Sequence, residues 1–152
     1  MRQSHYGKLF LMVALSFASM YVLMYAMVDR FDNVYMNVNQ VYMAALMSAP
    51  MVIIELALMG SMYPNKKMNA LIIAVGLIVL AAFWLLIRQQ TMVTDKQFLR
   101  SMIPHHAGAI LMCEKAAIRD PQITELCHTI ISGQQAEIEQ MKTRLEELGA
   151  GR

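Results

Sequence analysis

Five side chains with soft or borderline donor atoms stand within thirteen residues, in the stretch Ser101 to Cys113, SMIPHHAGAILMC. They are Met102, His105, His106, Met112 and Cys113. At about 100° per residue on a helix, Met102, His106 and Cys113 fall almost in line, with His105 and Met112 to one side, inside an arc of roughly 120°. Imidazole, thioether and thiolate together suit Cu(I) above all, then Ag(I) or Zn(II). Mg(II) and Ca(II) require oxygen ligands, which these five residues do not supply.

The elements that must present this face follow from composition. Of 152 residues, 57% are hydrophobic and only 16% charged, more apolar than a water-facing domain requires. Residues 1–93 carry six Lys/Arg and three Asp/Glu, against seven and eight in residues 94–152. The last third therefore reads as ordinary water-soluble protein and the rest does not. A net charge of +2 gives no footprint for nucleic acid. Leu9–Val28, Val41–Tyr63 and Met68–Ile87 each match the ~20 apolar residues that cross a bilayer. Glu55 interrupts the second span and Pro50 bends it; Trp84 and Arg88 close the third at the interface. The first run is too long for a signal-peptide core and lacks a cleavage site after it.

Lys/Arg concentrate in the head, MRQSHYGK, and in the PNKK turn at 64–67. The positive-inside rule puts both in the cytoplasm, which places residues 92–152 outside it, in a bacterial inner membrane with a periplasmic C-terminal domain. The predicted domains are thus a membrane region, 1–91, and a periplasmic helical domain, 92–152. Thr94 with Gln97 forms a capping box for a helix over about Asp95–Ile118, kinked at Pro104. Asp120 caps a second helix, with Pro121 at its first position, running to about Leu148 and stopping at Gly149. The fold class is all-α: three transmembrane helices and then a helical hairpin.

Folding the hairpin about Arg119–Asp120 sets Cys113 opposite Cys127, Met112 near His128, His105 and His106 opposite Gln134 and Gln135, and Met102 opposite Ile138 or Met141. Seven residues of helix separate His106 from Cys113 by roughly 10 Å, too far for one ion to take both as ligands. Two candidate sites result. One comprises Met102, His105, His106 and Met141. The other, at the tip, comprises Met112, Cys113, Cys127 and His128. Cys113 and Cys127 admit two readings, a structural disulfide or metal ligands, and the sequence leaves both open. In the membrane, Met43, Met47, Met51, Glu55 and Met59 recur every four residues, as Met12, Met20 and Met24 recur in the first span. Met is ordinarily a packing residue, but a carboxylate inside a bilayer marks a functional position, so Met43, Met47, Met51 and Glu55 outline a membrane metal path.

The Met-Ile-Pro-His-His run at 102–106, with Met112 after it, resembles the bacterial family catalogued as domain of unknown function 305. DKQFLRS at 95–101 and the Gln135, Glu137, Met141 stretch also resemble it, so that the likeness covers about residues 92–148. The resemblance implies a ferritin-like helical scaffold and a membrane-anchored subgroup, with copper binding or tolerance outside the cytoplasm. Cys113 and Cys127 stand outside its core motif.

The expected function is Cu(I) or Ag(I) sequestration or hand-over in metal tolerance, with membrane lipid, the metal ion and a metal-efflux or chaperone protein as partners. No nucleophile–base–orienter set, glycine-rich phosphate loop or zinc-hydrolase motif is present, so no enzyme activity is expected. A Met-lined copper transporter and a disulfide-closed assembly subunit are the alternatives. Two helices make a thin core, so dimerisation into a four-helix bundle, or docking on the spans, is also expected.

Overall fold

The computed structural model describes residues 3–150, so Arg2 of the basic head lies outside the described residues. Every regular element among them is helical: α1 (Gln3–Leu23), α2 (Val38–Leu58), α3 (Lys66–Gln89), α4 (Asp95–Lys115) and α5 (Pro121–Ala150), with short 3₁₀ turns at Met24–Met27, Phe31–Asn33 and Gly60–Met62. Three stretches are long and apolar enough to cross a membrane: His5–Met27, Val38–Leu58 and Lys66–Gln89. The chain divides into two compact units, Met1–Met24 with Asn39–Thr91, and Tyr25–Val38 with Met92–Arg152.

In the first unit, Leu9, Leu56 and Tyr63 form a small core flanked by Tyr6, Met12, Val52, Ile72 and Ile73. The Tyr6 hydroxyl donates to Asn69 Oδ1 at 2.8 Å, tying the start of α1 to the start of α3. Asn65 caps α3 by accepting from the Met68 amide at 3.0 Å. A β-carbon on Gly76 would come within 3.2 Å of Ile53 Cγ1, so the glycine lets α3 approach α2 closely. Both α2 and α4 run through their prolines, Pro50 and Pro104. Most of the apolar surface of α3 faces outward, and none of its residues is buried, which suits a helix whose solvent is lipid.

The second unit is built on Ile103, Ala107 and Ile110, one stripe of α4 at i, i+4 and i+7, closed by Ile138 of α5. Ile131, Met141 and Leu145 of α5 flank this core, and so do Val28 and Tyr35 of the segment between the first two spans. That segment is an integral layer of the unit. Asn37 Oδ1 accepts from the Ser101 hydroxyl at 3.2 Å, and the Val38 amide donates to Gln97 Oε1 at 3.0 Å. Within the segment, Asn37 Nδ2 and the Tyr25 hydroxyl both donate to the Tyr35 carbonyl, at 3.0 and 2.7 Å. A β-carbon at Gly108 would stand 3.4 Å from the Met27 carbonyl oxygen, which shows how near the segment passes to α4.

Several sequence expectations change here. The compact unit that contains α4 and α5 also includes residues 25–38, which the sequence reading grouped with the spans. The capping box at Thr94 does not form: the Thr94 side chain makes no cap hydrogen bond, and Gln97 Oε1 accepts from the Val38 amide instead of reaching back to Thr94. The second span ends at Leu58, before the Gly60–Met62 turn. Helix α4 stops at Lys115 because Ala116 turns extended (ψ 139°). Gly149 keeps a negative φ and does not stop α5. Asp120 caps as expected, its Oδ1 accepting from the amides of Gln122 and Ile123 at 2.9 and 3.0 Å.

Ile103 has no exposed surface, so Ile103→Ala removes methylenes from a closed core and is expected to cost about 2–5 kcal/mol. Ile123, 49% exposed, is the matched control, expected to change stability little when replaced by Ala. Denaturant unfolding in detergent, with hydrogen exchange on α4, α5 and residues 25–38, measures both. All three segments should lose protection together in Ile103→Ala.

Candidate metal centre

The side chains that the sequence singles out on α4 separate by burial. His106 is 9% exposed, beside the fully buried Ile103 and Ala107, while His105 is exposed. Met102 is half-buried, and Met141 packs against the Ile138 core. Met112 and His128 are exposed. The two imidazoles meet edge to face, with ring centroids 6.1 Å apart.

His106 is held at both nitrogens. Its Nδ1 lies 2.9 Å from the Met102 carbonyl oxygen, and its Nε2 lies 2.7 Å from Glu137 Oε2. A carbonyl only accepts, so the Nδ1 proton is in place and donates to it. The proton between Nε2 and the carboxyl group belongs to one or the other. The sequence reading places Gln134 and Gln135 opposite the two histidines; the structure instead brings Glu137 to His106. Helical side chains lean toward the N-terminus of their own helix. On antiparallel helices, His106 leans away from the turn and Glu137 leans toward it, so they meet across a level mismatch that residue counting misses. The Gln135, Glu137, Met141 stretch contained the signal; its weight lay in the Glu.

Glu137 also brings an oxygen donor to a face that otherwise carries nitrogen and sulfur. Its side chain is 55% exposed against 11% for His106, so the carboxylate can swing into solvent while the imidazole stays oriented. The Nδ1–H to carbonyl bond is the arrangement that commonly orients a metal-binding histidine and leaves Nε2 to the metal. Among the described residues, no three His, Cys, Asp or Glu side chains converge on one point, so a soft metal here would draw on the Met sulfurs or on His105.

At the far end of α4, Cys113 and Cys127 form a disulfide, with Cα atoms 5.3 Å apart. Of the two readings the sequence left open, this is the state observed, and in it neither sulfur is a thiolate that could ligate a metal. The second donor set is reduced in this state to Met112 and His128. In the first unit, Met43 and Met47 are exposed and Met51 is half-buried, while Glu55 accepts from the Tyr63 hydroxyl at 3.2 Å. That hydroxyl is a partner for the Glu55 carboxylate of α2, a role the sequence had not assigned. The second unit also contains a polar cleft of about 410 Å³, lined by Asp29, Asp32 and Asn33 on one side and Gln135, Glu139 and Lys142 on the other. It lacks sulfur and imidazole and is not a soft-metal site.

Comparison with known proteins follows this geometry. The family model described as "Domain of unknown function (DUF305)" matches residues 27–145, a range that takes in residues 27–38 of the inter-span segment as well as α4 and most of α5. The "Uncharacterized protein L153" of Acanthamoeba polyphaga mimivirus is 36% identical over 140 residues, 90% of each chain. No solved structure matches.

Removing the carboxylate by Glu137→Ala is expected to cost about 1 kcal/mol, since a half-exposed hydrogen-bonded pair contributes little. Because the Met102 carbonyl still accepts, His106 should keep its proton on Nδ1 when neutral. Long-range ¹H–¹⁵N spectra of the imidazole read this directly; a neutral His106 with its proton on Nε2 would contradict the assigned hydrogen bond.

Proposed function

We propose, for a chain that belongs to the Domain of unknown function (DUF305) family, that it is a membrane-anchored metal-binding protein that sequesters or hands over Cu(I), or Ag(I), in metal tolerance. The observation that carries this reading is the fixed imidazole of His106. With Nδ1 donating to the Met102 carbonyl, Nε2 is aimed at Glu137, the one partner that can leave for solvent. A metal takes the Nε2 lone pair, the proton held between Nε2 and the carboxyl group leaves, and the metal takes the place of the carboxylate. Met102, Met141 and the exposed His105 are the further donors within the same unit. Thioether sulfur favours Cu(I) and Ag(I); Zn(II) becomes competitive where Glu137 stays as a ligand. No catalytic step enters this function.

The anchor is the set of three apolar helices. Residues 25–38 follow the first span, residues 92–150 follow the third, and they pack into one unit. The two crossings between them, α2 and α3, return the chain to the same side, so this packing supports both α2 and α3 crossing fully. Basic residues at the head and at 64–67 then favour an extracytoplasmic metal site, periplasmic in a bacterial inner membrane. Exposed Ile123 and Leu126 on α5 support pairing of two copies into a ferritin-like four-helix bundle. Partners for hand-over would be an efflux protein or a soluble metal chaperone.

Anaerobic Cu(I) titration of the full chain in detergent, against a chromogenic chelator, tests the proposal. His105→Ala/His106→Ala is expected to weaken binding at least about 100-fold, and Met102→Leu/Met141→Leu at least about 10-fold, the scale of losing ligands. Competition curves that superimpose for wild type and both double variants would sink it.

A further inference from the structure

The disulfide occupies the end of the helix pair away from His106, and it uses neither histidine nor the core stripe. Cys113 lies two residues inside the end of α4, and Cys127 lies six residues into α5. What holds their backbones together is not the sulfur–sulfur bond alone. Ile110, three residues before Cys113, and Ile131, four residues after Cys127, belong to one packed cluster. On the other flank, Asp120 caps α5 and fixes the chain's re-entry into helix. Opening the bond therefore leaves the Cα atoms near their 5.3 Å spacing.

That spacing suits two kinds of chemistry. It lies within the range that a disulfide spans, roughly 4.4–6.8 Å. It also suits a chelate: two thiolates at a metal–sulfur distance of about 2.3 Å in trigonal geometry sit about 4 Å apart, a separation that rotations about the Cα–Cβ bonds provide. Both cysteines are half-buried, and their chain neighbours Met112 and His128 are exposed thioether and imidazole donors. The connecting residues Ala116 and Ala117 are exposed, so a small reductant reaches the tip.

We propose that the Cys113–Cys127 disulfide is the closed state of a second soft-metal site, in which the two thiolates chelate one Cu(I) ion once a dithiol reductant has opened the bond. The reductant supplies two electrons and two protons and becomes a disulfide itself; the protein gains two thiols. Binding of Cu(I) then expels two protons to solvent and leaves a bis-thiolate complex, with Met112 or His128 as the third ligand. This extends the soft-metal reading of the chain, but it rests on different residues and fails separately from it.

The test uses the full chain in detergent micelles, either as the disulfide or reduced with a dithiol that is then removed under anaerobic conditions. Each form is titrated with Cu(I) against the chelator while the ultraviolet thiolate-to-copper charge-transfer band is followed. The reduced form should bind one equivalent more than the disulfide form, with the band growing over that equivalent. His105→Ala/His106→Ala should keep this increment. Cys113→Ser/Cys127→Ser should lose it, and alkylating both thiols of the reduced wild type should abolish it without any change of sequence. Equal stoichiometry in the two redox states, or an increment that survives alkylation, would overturn the proposal. Absence of any histidine-dependent equivalent, with the thiol increment intact, would instead count against the His/Met site alone.

Discussion

A pair of helices cannot enclose its own apolar stripe, and the rest of this molecule depends on how that constraint is met. Ile103 and Ile110 are completely buried although α4 has one long helical neighbour. The missing cover comes from residues 25–38, fastened to α4 by Ser101–Asn37 and Gln97–Val38 hydrogen bonds and contributing Val28 and Tyr35 to the core. Burial at about 25 cal/mol per Å² rewards any apolar surface brought there. The backbone of an irregular segment can supply that surface only if its own polar groups are satisfied. Side chains do part of this: Asn37 Nδ2 and the Tyr25 hydroxyl donate to the Tyr35 carbonyl at 3.0 and 2.7 Å, and Gln97 Oε1 accepts from the Val38 amide at 3.0 Å.

The same packing sets the chemistry of His106. An imidazole next to a closed core cannot rotate freely, and its Nδ1 proton is taken by the carbonyl one turn back. Orientation is then fixed before any ligand arrives, which is the usual role of hydrogen bonds behind a metal-binding histidine. His105, one residue earlier, faces solvent and has no such constraint. Two adjacent histidines thus differ in kind, one positioned and one adaptable, because successive residues on a helix point about 100° apart.

The match of the family model to residues 27–145 fits this architecture. It covers residues 27–38 of the segment between the first two apolar helices, α2, α3, α4 and most of α5, and so takes in nearly all of the second unit. A reading confined to α4 and α5 takes in the candidate donor residues and misses what holds them.

The sequence by itself determined the all-helical class, the three apolar stretches, the Asp120 cap and the placing of Cys113 opposite Cys127 across the turn. These follow from local rules: apolar run length, capping chemistry and equal distance from a turn. It also marked His106 through its position beside Met102, His105 and Met112. Only the tertiary structure decided that residues 25–38 belong with α4 and α5, since nothing in an asparagine-rich loop encodes which surface it will cover. It likewise decided that Gln97 would leave its cap for Val38, and that Glu137 rather than Gln134 would meet His106. Each of these depends on the direction in which a side chain leans and on what lies within its reach, and those quantities exist only once the helices are packed.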